Sequence, residues 1–247
     1  MTMERLQLIC LPYAGAGAAV YRGWQRLMPH WVELVALDLP GRGLRQAEPA
    51  VWDWRELIDS VMGSLGRRIK TPLALFGHSM GALVAVALAR ELRVRGAPAP
   101  VSVGVSGCVA PRRRELNLTW LDCSDERLIA ELRSLGGTSP EVMGCRDLLD
   151  LILPTVRADF HLCGSYQPLD RTPLGCPFLV LGGQSDPLSQ PRDNLSAWSL
   201  ETSGVCRVEM VSGGHFFIHE SEASVVSLVA SSLAALEPVR SGMSVMS

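Results

Sequence analysis

The stretch from Pro72 to Gly81 reads Pro-Leu-Ala-Leu-Phe-Gly-His-Ser-Met-Gly. Its first half is an apolar run typical of a buried strand, and the residues after it have the pattern of a helix. A serine on such a sharp strand-to-helix turn carries its hydroxyl out of the sheet, and the flanking glycines allow tight backbone packing. Gly-x-Ser-x-Gly alone is a weak signal, but this context predicts that Ser79 is a nucleophile. It also predicts that the Met80 N–H, at a helix N-terminus, faces a developing oxyanion.

The composition is that of one globular domain over residues 1–247. Hydrophobic residues make up 47% of the chain, which is enough for a sizeable core, and the formal net charge is −2. Acidic and basic residues are mixed, so we expect no nucleic-acid partner. No signal peptide is recognisable, and no apolar run reaches the roughly 20 residues of a membrane span. Residues 238–247 have the composition of a disordered tail.

Short apolar runs bounded by glycine or proline alternate with helical patterns along much of the chain. Most of these runs lack polar alternation, as expected of strands that are covered on both faces. The predicted strands are Leu6–Pro12, Val32–Pro40, Pro72–Gly77, Val101–Val109, Pro177–Gly183 and Val205–Val211. Between them, Trp52–Ile69 and Met80–Arg95 have the patterns of helices that pack against a sheet. The alternation predicts an α/β fold, with a mostly parallel sheet, helices on both faces and a site at the carboxyl ends of the strands.

Residues 111–173 break this alternation, because they contain several helical patterns and no convincing strand. One predicted helix begins at Ser124 or Asp125 and ends before Gly136. Further along, Pro154 fits the first turn of another short helix. An all-helical insertion between two core strands predicts a lid over the site, although extra helices at the sheet edge would give the same pattern.

A nucleophilic serine needs a general base, and the chain contains five histidines. His215 follows the predicted strand Val205–Val211 through Ser-Gly-Gly, which would put it at the carboxyl end of a strand. His219 is the main competitor, but it lies further into the predicted last helix. The remaining histidines lie in helical or loop patterns, or within the serine turn and pointing away from the hydroxyl: His30, His161 and His78. We therefore predict that His215 is the base.

The third member of such a site is a carboxylate that orients the base. Asp186 lies just past the predicted strand Pro177–Gly183, again at a carboxyl end. The alternatives fall in the predicted insertion or at the start of a helix, where a structural role is the simpler interpretation: Asp159, Asp170 and Asp193. Serine, aspartate and histidine then follow the chain order of α/β hydrolases. In these roles His215 takes the serine proton, and Asp186 fixes the imidazole tautomer and stabilises its charged form.

The loop after the first strand, Pro12–Gly17, should supply the second oxyanion donor, and we expect the Ala14 N–H, or else that of Gly15. A strand, a glycine-rich turn and a helix also occur in dinucleotide-binding folds. Here Val20 replaces the third glycine, and no acidic residue about 20 residues on aligns convincingly. The seven cysteines have no regular spacing and no Cys-x-x-Cys pair. We therefore expect no cofactor, no metal ion, no disulfide framework and a reducing cytoplasm.

Five short segments carry a more specific pattern. They are Leu-Pro-Tyr-Ala-Gly at 11–15, Leu-Pro-Gly-Arg-Gly at 39–43, Gly-His-Ser-Met-Gly at 77–81, Arg-Ala-Asp-Phe at 157–160 and Gly-Gly-His-Phe-Phe at 213–217. Together they resemble the type II thioesterases of polyketide and nonribosomal peptide pathways, from about Leu6 to Leu236. The first-strand loop departs from the family's usual Gly-Gly-Ser-Ala, which leaves the second oxyanion donor open between Ala14 and Gly15.

The resemblance implies a stand-alone enzyme that hydrolyses unproductive acyl groups from the phosphopantetheine thiol of acyl or peptidyl carrier proteins. It also implies that the catalytic residues are Ser79, Asp186 and His215. Only the resemblance supplies the thioester, because the same three groups also cleave oxygen esters. A carboxylesterase, an acyltransferase and a binding module without catalysis therefore stay as alternatives, although a complete set of three groups argues against the binding module.

Overall fold

The computed structural model describes residues 5–66, 69, 72–168 and 170–236 of the chain. Its strands are β1 (Leu6–Leu11), β2 (Val32–Ala36), β3 (Leu73–His78), β4 (Ser102–Ser106), β5 (Phe178–Gly183) and β6 (Cys206–Val211). They form one six-stranded sheet in the order β2-β1-β3-β4-β5-β6, and every neighbouring pair is parallel. Each strand coincides with a predicted run to within a few residues, so the predicted parallel sheet is confirmed.

Helices of very different lengths connect these strands or follow the last of them. They are α1 (Trp24–Leu27), α2 (Trp54–Leu65), α3 (Met80–Val94), α4 (Asp125–Leu135), α5 (Pro140–Met143), α6 (Arg146–Ser165), α7 (Asp193–Ser196), α8 (Phe217–Glu220) and α9 (Glu222–Ala234). The two helices predicted between core strands are α2 and α3. The first of them starts where the Asp53 side chain accepts hydrogen bonds from the N–H groups of Arg55 and Glu56, which is the expected role of an N-cap.

Both faces of the sheet are buried, and β3 shows how. Leu73 and Leu75 belong to a hydrophobic cluster with α2 and α3, whereas Ala74 and Phe76 belong to a cluster with α1 and α9 on the other face. Successive side chains of a strand point to opposite faces, so a strand covered on both sides needs apolar residues at every position. This is the physical reason for the unbroken apolar runs in the sequence.

The helices α4, α5 and α6 occupy the segment 111–173, and no strand lies among the residues described there. The helix α4 ends before Gly136, whose φ of 77° is left-handed, so this predicted stop is confirmed. Leucines of α4 and α6 form a third hydrophobic cluster, together with Val156 and Phe160. The function of these helices as a lid stays a prediction. The predicted disordered tail, 238–247, lies outside the described residues.

One prediction for this segment is wrong. Pro154 does not begin a new helix but lies inside α6, a continuous helix of 20 residues. A proline there removes one backbone hydrogen bond of the helix. The buried residues Leu149, Leu153, Val156 and Phe160 continue one apolar face across the proline, and their packing against α4 keeps the helix intact.

No helix of the described part is both long and apolar enough to cross a membrane. The carboxyl ends of the strands lie at one edge of the sheet, because the strands are parallel. The register pairs Leu11 of β1 with Gly77 of β3, His78 of β3 with Ser106 of β4, and Gly183 of β5 with the end of β6. The loops that carry the predicted site residues therefore begin at nearly the same level.

Candidate active site

Ser79 occupies a strained turn between β3 and α3. It has φ 53° and ψ −117°, and it is the only non-glycine residue with a positive φ among those described. Its N–H donates to the carbonyl of Ser106 at 2.7 Å, and its side chain lines a cavity at the edge of the sheet. Backbone strain of this kind clusters at functional sites.

The glycines around the serine are required by close backbone contacts. A Cβ added at Gly77 would lie 1.9 Å from the carbonyl oxygen of Gly81, and one added at Gly81 would lie 2.1 Å from the carbonyl oxygen of Leu11. Neither contact is possible for a larger residue without moving the backbone. The Gly-x-Ser-x-Gly pattern here therefore lets α3 start directly against β1 and β3.

The structure brings Ser79, His215 and Asp186 into one line of hydrogen bonds. His215 Nε2 lies 3.1 Å from Ser79 Oγ, and His215 Nδ1 lies 3.2 Å from Asp186 Oδ2. The imidazole is buried and the carboxyl is fully buried. We assign the Nδ1–H tautomer to His215, because the Asp186 carboxylate can only accept a hydrogen bond. The Nε2 atom is then free to accept the serine proton.

Short loops after β5 and β6 place the carboxylate and the imidazole. The Ser185 N–H donates to the carbonyl of Gly213 at 2.9 Å, so the two loops are bonded to each other. Burial alone would raise the pKa of the Asp186 carboxyl, but the hydrogen bond and charge of His215 outweigh it. The Ser189 hydroxyl and the Leu188 N–H add to this, so the pKa is lowered overall and the carboxylate stays ionised.

The competing residues from the sequence lie elsewhere. His219, on α8, is hydrogen-bonded to the Tyr13 hydroxyl at 2.9 Å rather than to Ser79. The other aspartates have arginine partners: Asp159 pairs with Arg42, Asp170 with Arg93 and Asp193 with Arg113. The geometry therefore favours His215 and Asp186 as the partners of the serine.

The Met80 and Ala14 residues, predicted as oxyanion donors, both line the same cavity as Ser79. Met80 is the first residue of α3, where the N–H has no intrahelical acceptor. The alternative donor, the Gly15 N–H, is already engaged, because it donates to Asp159 Oδ2 at 2.7 Å. The geometry thus favours Ala14 over Gly15 as the second donor.

The cavity has a volume of about 250 Å³. This is slightly below the range of typical small-molecule sites, roughly 300–1,000 Å³. The helical segment contributes much of its apolar lining, with Trp120, Leu132, Leu135 and Phe160. The site is therefore suited to a small apolar group next to the serine.

Two thiols also line the cavity, but neither is a competing nucleophile. Burial raises the pKa of Cys108 to about 11 and that of Cys163 to about 12. Since the thiolate is the reactive form, both are inert near neutral pH. Among the described residues, no group of His, Cys, Asp and Glu side chains is placed to hold a metal ion.

Sequence reasoning missed two supports of this site. The Ser189 hydroxyl donates to Asp186 Oδ2 at 2.8 Å, which fixes the carboxylate. The sequence favours a structural role for Asp159 but does not show its partners, which are Arg42 and the loop that carries Ala14. The segments 39–43 and 157–160 contain Arg42 and Asp159 and stand out in the sequence, but nothing in the sequence shows that these segments are in contact.

A comparison with family models matches residues 6–233 to the thioesterase domain. Among curated proteins, the chain is 36% identical over 229 residues to the gramicidin S biosynthesis protein GrsT of Aneurinibacillus migulanus, covering 93% of this chain and 89% of GrsT.

Solved structures give the same result. The thioesterase RedJ from the prodiginine pathway of Streptomyces coelicolor matches with a TM-score of 0.85 and 35% identity, over 92% of this chain and 89% of RedJ. The type II thioesterase BorB from the borrelidin biosynthetic cluster matches with a TM-score of 0.82 and 35% identity, over 92% of both chains. These structures share the α/β-hydrolase fold, which confirms the predicted fold class.

Proposed function

The chain belongs to the thioesterase family, as a type II thioesterase of the polyketide and nonribosomal peptide kind, and we propose that it removes aberrant or stalled acyl groups from carrier proteins. The thioester to be cleaved joins the acyl group to the phosphopantetheine thiol of an acyl or peptidyl carrier protein. The match to these relatives supports a shared activity, because it extends over nearly their whole length: the chain spans 89% of GrsT and 92% of BorB. It acts as a stand-alone enzyme in this proposal.

The observation that carries the mechanism is the line of hydrogen bonds from Ser79 through His215 to Asp186. Ser79 Oγ attacks the thioester carbonyl, and its proton moves to His215 Nε2. The carbonyl oxygen becomes an oxyanion that accepts hydrogen bonds from the N–H groups of Met80 and Ala14. The Asp186 carboxylate stabilises the imidazolium that forms.

The tetrahedral intermediate then collapses and its carbon–sulfur bond breaks. The phosphopantetheine sulfur leaves with the proton held on His215, and the acyl group stays on Ser79 as an ester. A water molecule attacks this ester and gives one proton to His215. When the second intermediate collapses, Ser79 Oγ recovers that proton and the free carboxylic acid leaves.

The apolar lining supports short acyl groups as substrates. Because apolar contacts are not directional, the site should accept several different acyl groups of this size. We further propose that the helices of residues 111–173 form a mobile lid, and that its outer surface helps to receive the carrier protein. The phosphopantetheine arm would then reach Ser79 through a narrow channel under the lid. All seven cysteines are free, which supports a reducing cytoplasm as the place of the reaction.

The test compares one acyl group in three forms: on a carrier protein, on a short pantetheine thiol and as an oxygen ester. We expect the carrier-bound thioester to have the highest kcat/KM. Equal values for the carrier and the pantetheine would contradict carrier recognition, and a preference for the oxygen ester would favour a carboxylesterase.

The choice of acceptor is tested by running the reaction in water enriched in ¹⁸O. Hydrolysis places one heavy oxygen in the carboxylic acid, as mass spectrometry of the product would show. An ester or amide product in place of the labelled acid would contradict hydrolysis and favour an acyltransferase.

A further inference from the structure

Two segments singled out in the sequence, 39–43 and 157–160, take no part in the mechanism above. The structure joins them through Arg42 and Asp159, which are 117 positions apart. The Arg42 Nη2 donates to Asp159 Oδ1 at 2.8 Å, and Nη1 donates to Oδ2, so the pair is bidentate. The guanidinium also donates to the carbonyl of Pro40 from Nε and Nη2, at 3.2 and 3.1 Å.

The pair is almost completely withdrawn from solvent, with side-chain exposures of 7% for Arg42 and 2% for Asp159. Burying two charges carries a large desolvation cost, and buried ion pairs are often no more stabilising than apolar residues of the same volume. A contribution to stability is therefore a weak explanation for this pair. A further hydrogen bond to Asp159 suggests a different explanation.

The third partner is the loop that follows β1. Asp159 Oδ2 accepts a hydrogen bond from the Gly15 N–H at 2.7 Å. Gly15 has a φ of 75°, in the left-handed region that favours glycine, and a Cβ there would lie 3.0 Å from Val156 Cγ2 of α6. One helix thus sets the position of this turn through both a carboxylate and a steric contact.

Holding Gly15 determines which amides of the loop stay available. The Ala16 N–H donates to the carbonyl of Tyr13 at 3.0 Å, and the Gly15 N–H donates to Asp159. Among the described residues, the Ala14 N–H has no acceptor within hydrogen-bonding distance, and Ala14 lines the cavity next to Ser79. The peptide before Gly15 is therefore fixed while the Ala14 amide stays free for an oxyanion.

We propose that Arg42 and Asp159 are positioning residues for the oxyanion hole, which hold the Gly15 turn so that the Ala14 N–H meets the developing charge. This inference rests on the proposed function, because it takes Ser79 as the nucleophile. Arg42 orients the carboxylate with two hydrogen bonds, and the carboxylate orients the loop. Neither side chain touches the substrate.

The test uses an alkyl boronic acid, which mimics the tetrahedral intermediate. Ser79 Oγ adds to the boron and gives its proton to His215, and a boronate oxygen occupies the oxyanion hole. The inhibition constant is a property of each folded active site. A variant that merely lowers the folded fraction therefore raises the apparent constant only by the reciprocal of that fraction, which is less than about twofold while most of the protein is folded.

The main variant is Arg42→Met with Asp159→Leu, which replaces the pair by apolar side chains of similar volume and leaves no buried charge unpaired. We expect the boronate inhibition constant to rise about 10²-fold and kcat to fall by a similar factor at nearly unchanged KM. Asp159→Asn keeps an oxygen that can accept from Gly15, so its effect should be much smaller.

The matched control is a second buried arginine–carboxylate pair, Arg90 with Glu201, whose side chains are 7% and 1% exposed and lie outside the cavity lining. Arg90→Met with Glu201→Leu should leave the inhibition constant within about twofold of the wild type.

A wild-type inhibition constant in the folded Arg42→Met, Asp159→Leu protein would overturn the proposal. Should that protein not fold, Arg42→Lys decides the matter, because it keeps the charge but loses the bidentate geometry. A raised constant in Arg42→Lys supports positioning, and an unchanged constant overturns it. A wild-type enzyme that the boronate fails to inhibit would instead refute the proposed serine mechanism, and this inference with it.

Discussion

The imidazole of His78 lies against that of His215, with ring centroids 5.2 Å apart and ring planes inclined by 44°. His78 is fully buried, and its Nδ1 lies 2.9 Å from the hydroxyl of Ser106. Burial holds the pKa of His78 well below its ordinary value, and the proximity of His215 adds to this effect. The site thus packs two tilted imidazoles against each other, of which His78 is kept neutral, so that no second positive charge opposes the protonation of His215 during catalysis.

This arrangement predicts how stability depends on pH. The folded state keeps His78 neutral, whereas the unfolded chain protonates it below about pH 6.5. The stability gained from a neutral His78 is therefore complete above that pH and is lost as the pH falls towards the folded pKa. His219 acts in the same direction, because partial burial lowers its pKa too.

In His78→Asn, the free energy of unfolding should fall less between pH 7 and pH 5 than it does in the wild type. The asparagine keeps a polar group near Ser106 but cannot titrate. Urea denaturation at several pH values measures this slope, with His30→Asn, at an exposed histidine, as the control. A slope in His78→Asn equal to that of the wild type would contradict the account.

The Asp186 carboxylate should have a large effect on the rate of catalysis. Asp186→Asn should lower kcat on the order of 10⁴-fold, because the amide favours the wrong tautomer of His215. Asp193→Asn is the matched control, since Asp193 lies in the next helix and pairs only loosely with Arg113 at 3.7 Å. Steady-state kinetics on a thioester measures both. An inactive Asp193→Asn together with a nearly wild-type kcat for Asp186→Asn would contradict the assignment of Asp186 as the carboxylate that orients His215.

The contact between the helical segment and the active site can also be tested. A Cβ at Gly137 would lie 2.0 Å from Phe216 Cζ, and Phe216 follows His215. Gly137→Ala must therefore shift either the aromatic ring or the turn between α4 and α5.

We expect Gly137→Ala to raise the KM for acyl substrates roughly tenfold, as for the loss of a good apolar contact. Gly144→Ala, in the next turn of the same segment, makes no contact with the cavity lining and serves as the control. Equal KM values for wild type and Gly137→Ala would argue against a lid that closes on the acyl group.

The sequence predicted those parts of the site that depend on local signals. Ser79 and Asp186 each follow a strand that is buried on both faces and appears as an unbroken apolar run. His215 follows the partly exposed edge strand β6, which the sequence still marks by its valines. Parallel strands then bring the three together, because their carboxyl ends share one edge of the sheet.

Contacts between distant segments were not predictable in this way. The partner of Arg42 lies 117 positions away on α6, and no periodicity links the two. The prediction that Pro154 begins a helix is wrong for the same reason. Local propensity places a proline at a helix start, whereas tertiary packing of the apolar face of α6 against α4 carries the helix through it.

The central claim is that Ser79 hydrolyses acyl groups from carrier-protein thioesters. The most direct measurement is the intact mass of an acyl-loaded carrier protein after incubation with the wild type and with Ser79→Ala. We expect the wild type to remove the acyl mass and leave the phosphopantetheine in place. Ser79→Ala should be slower by roughly 10⁶-fold and leave the carrier loaded. A carrier that keeps its acyl group with the wild type, or loses it equally fast with Ser79→Ala, would contradict the account.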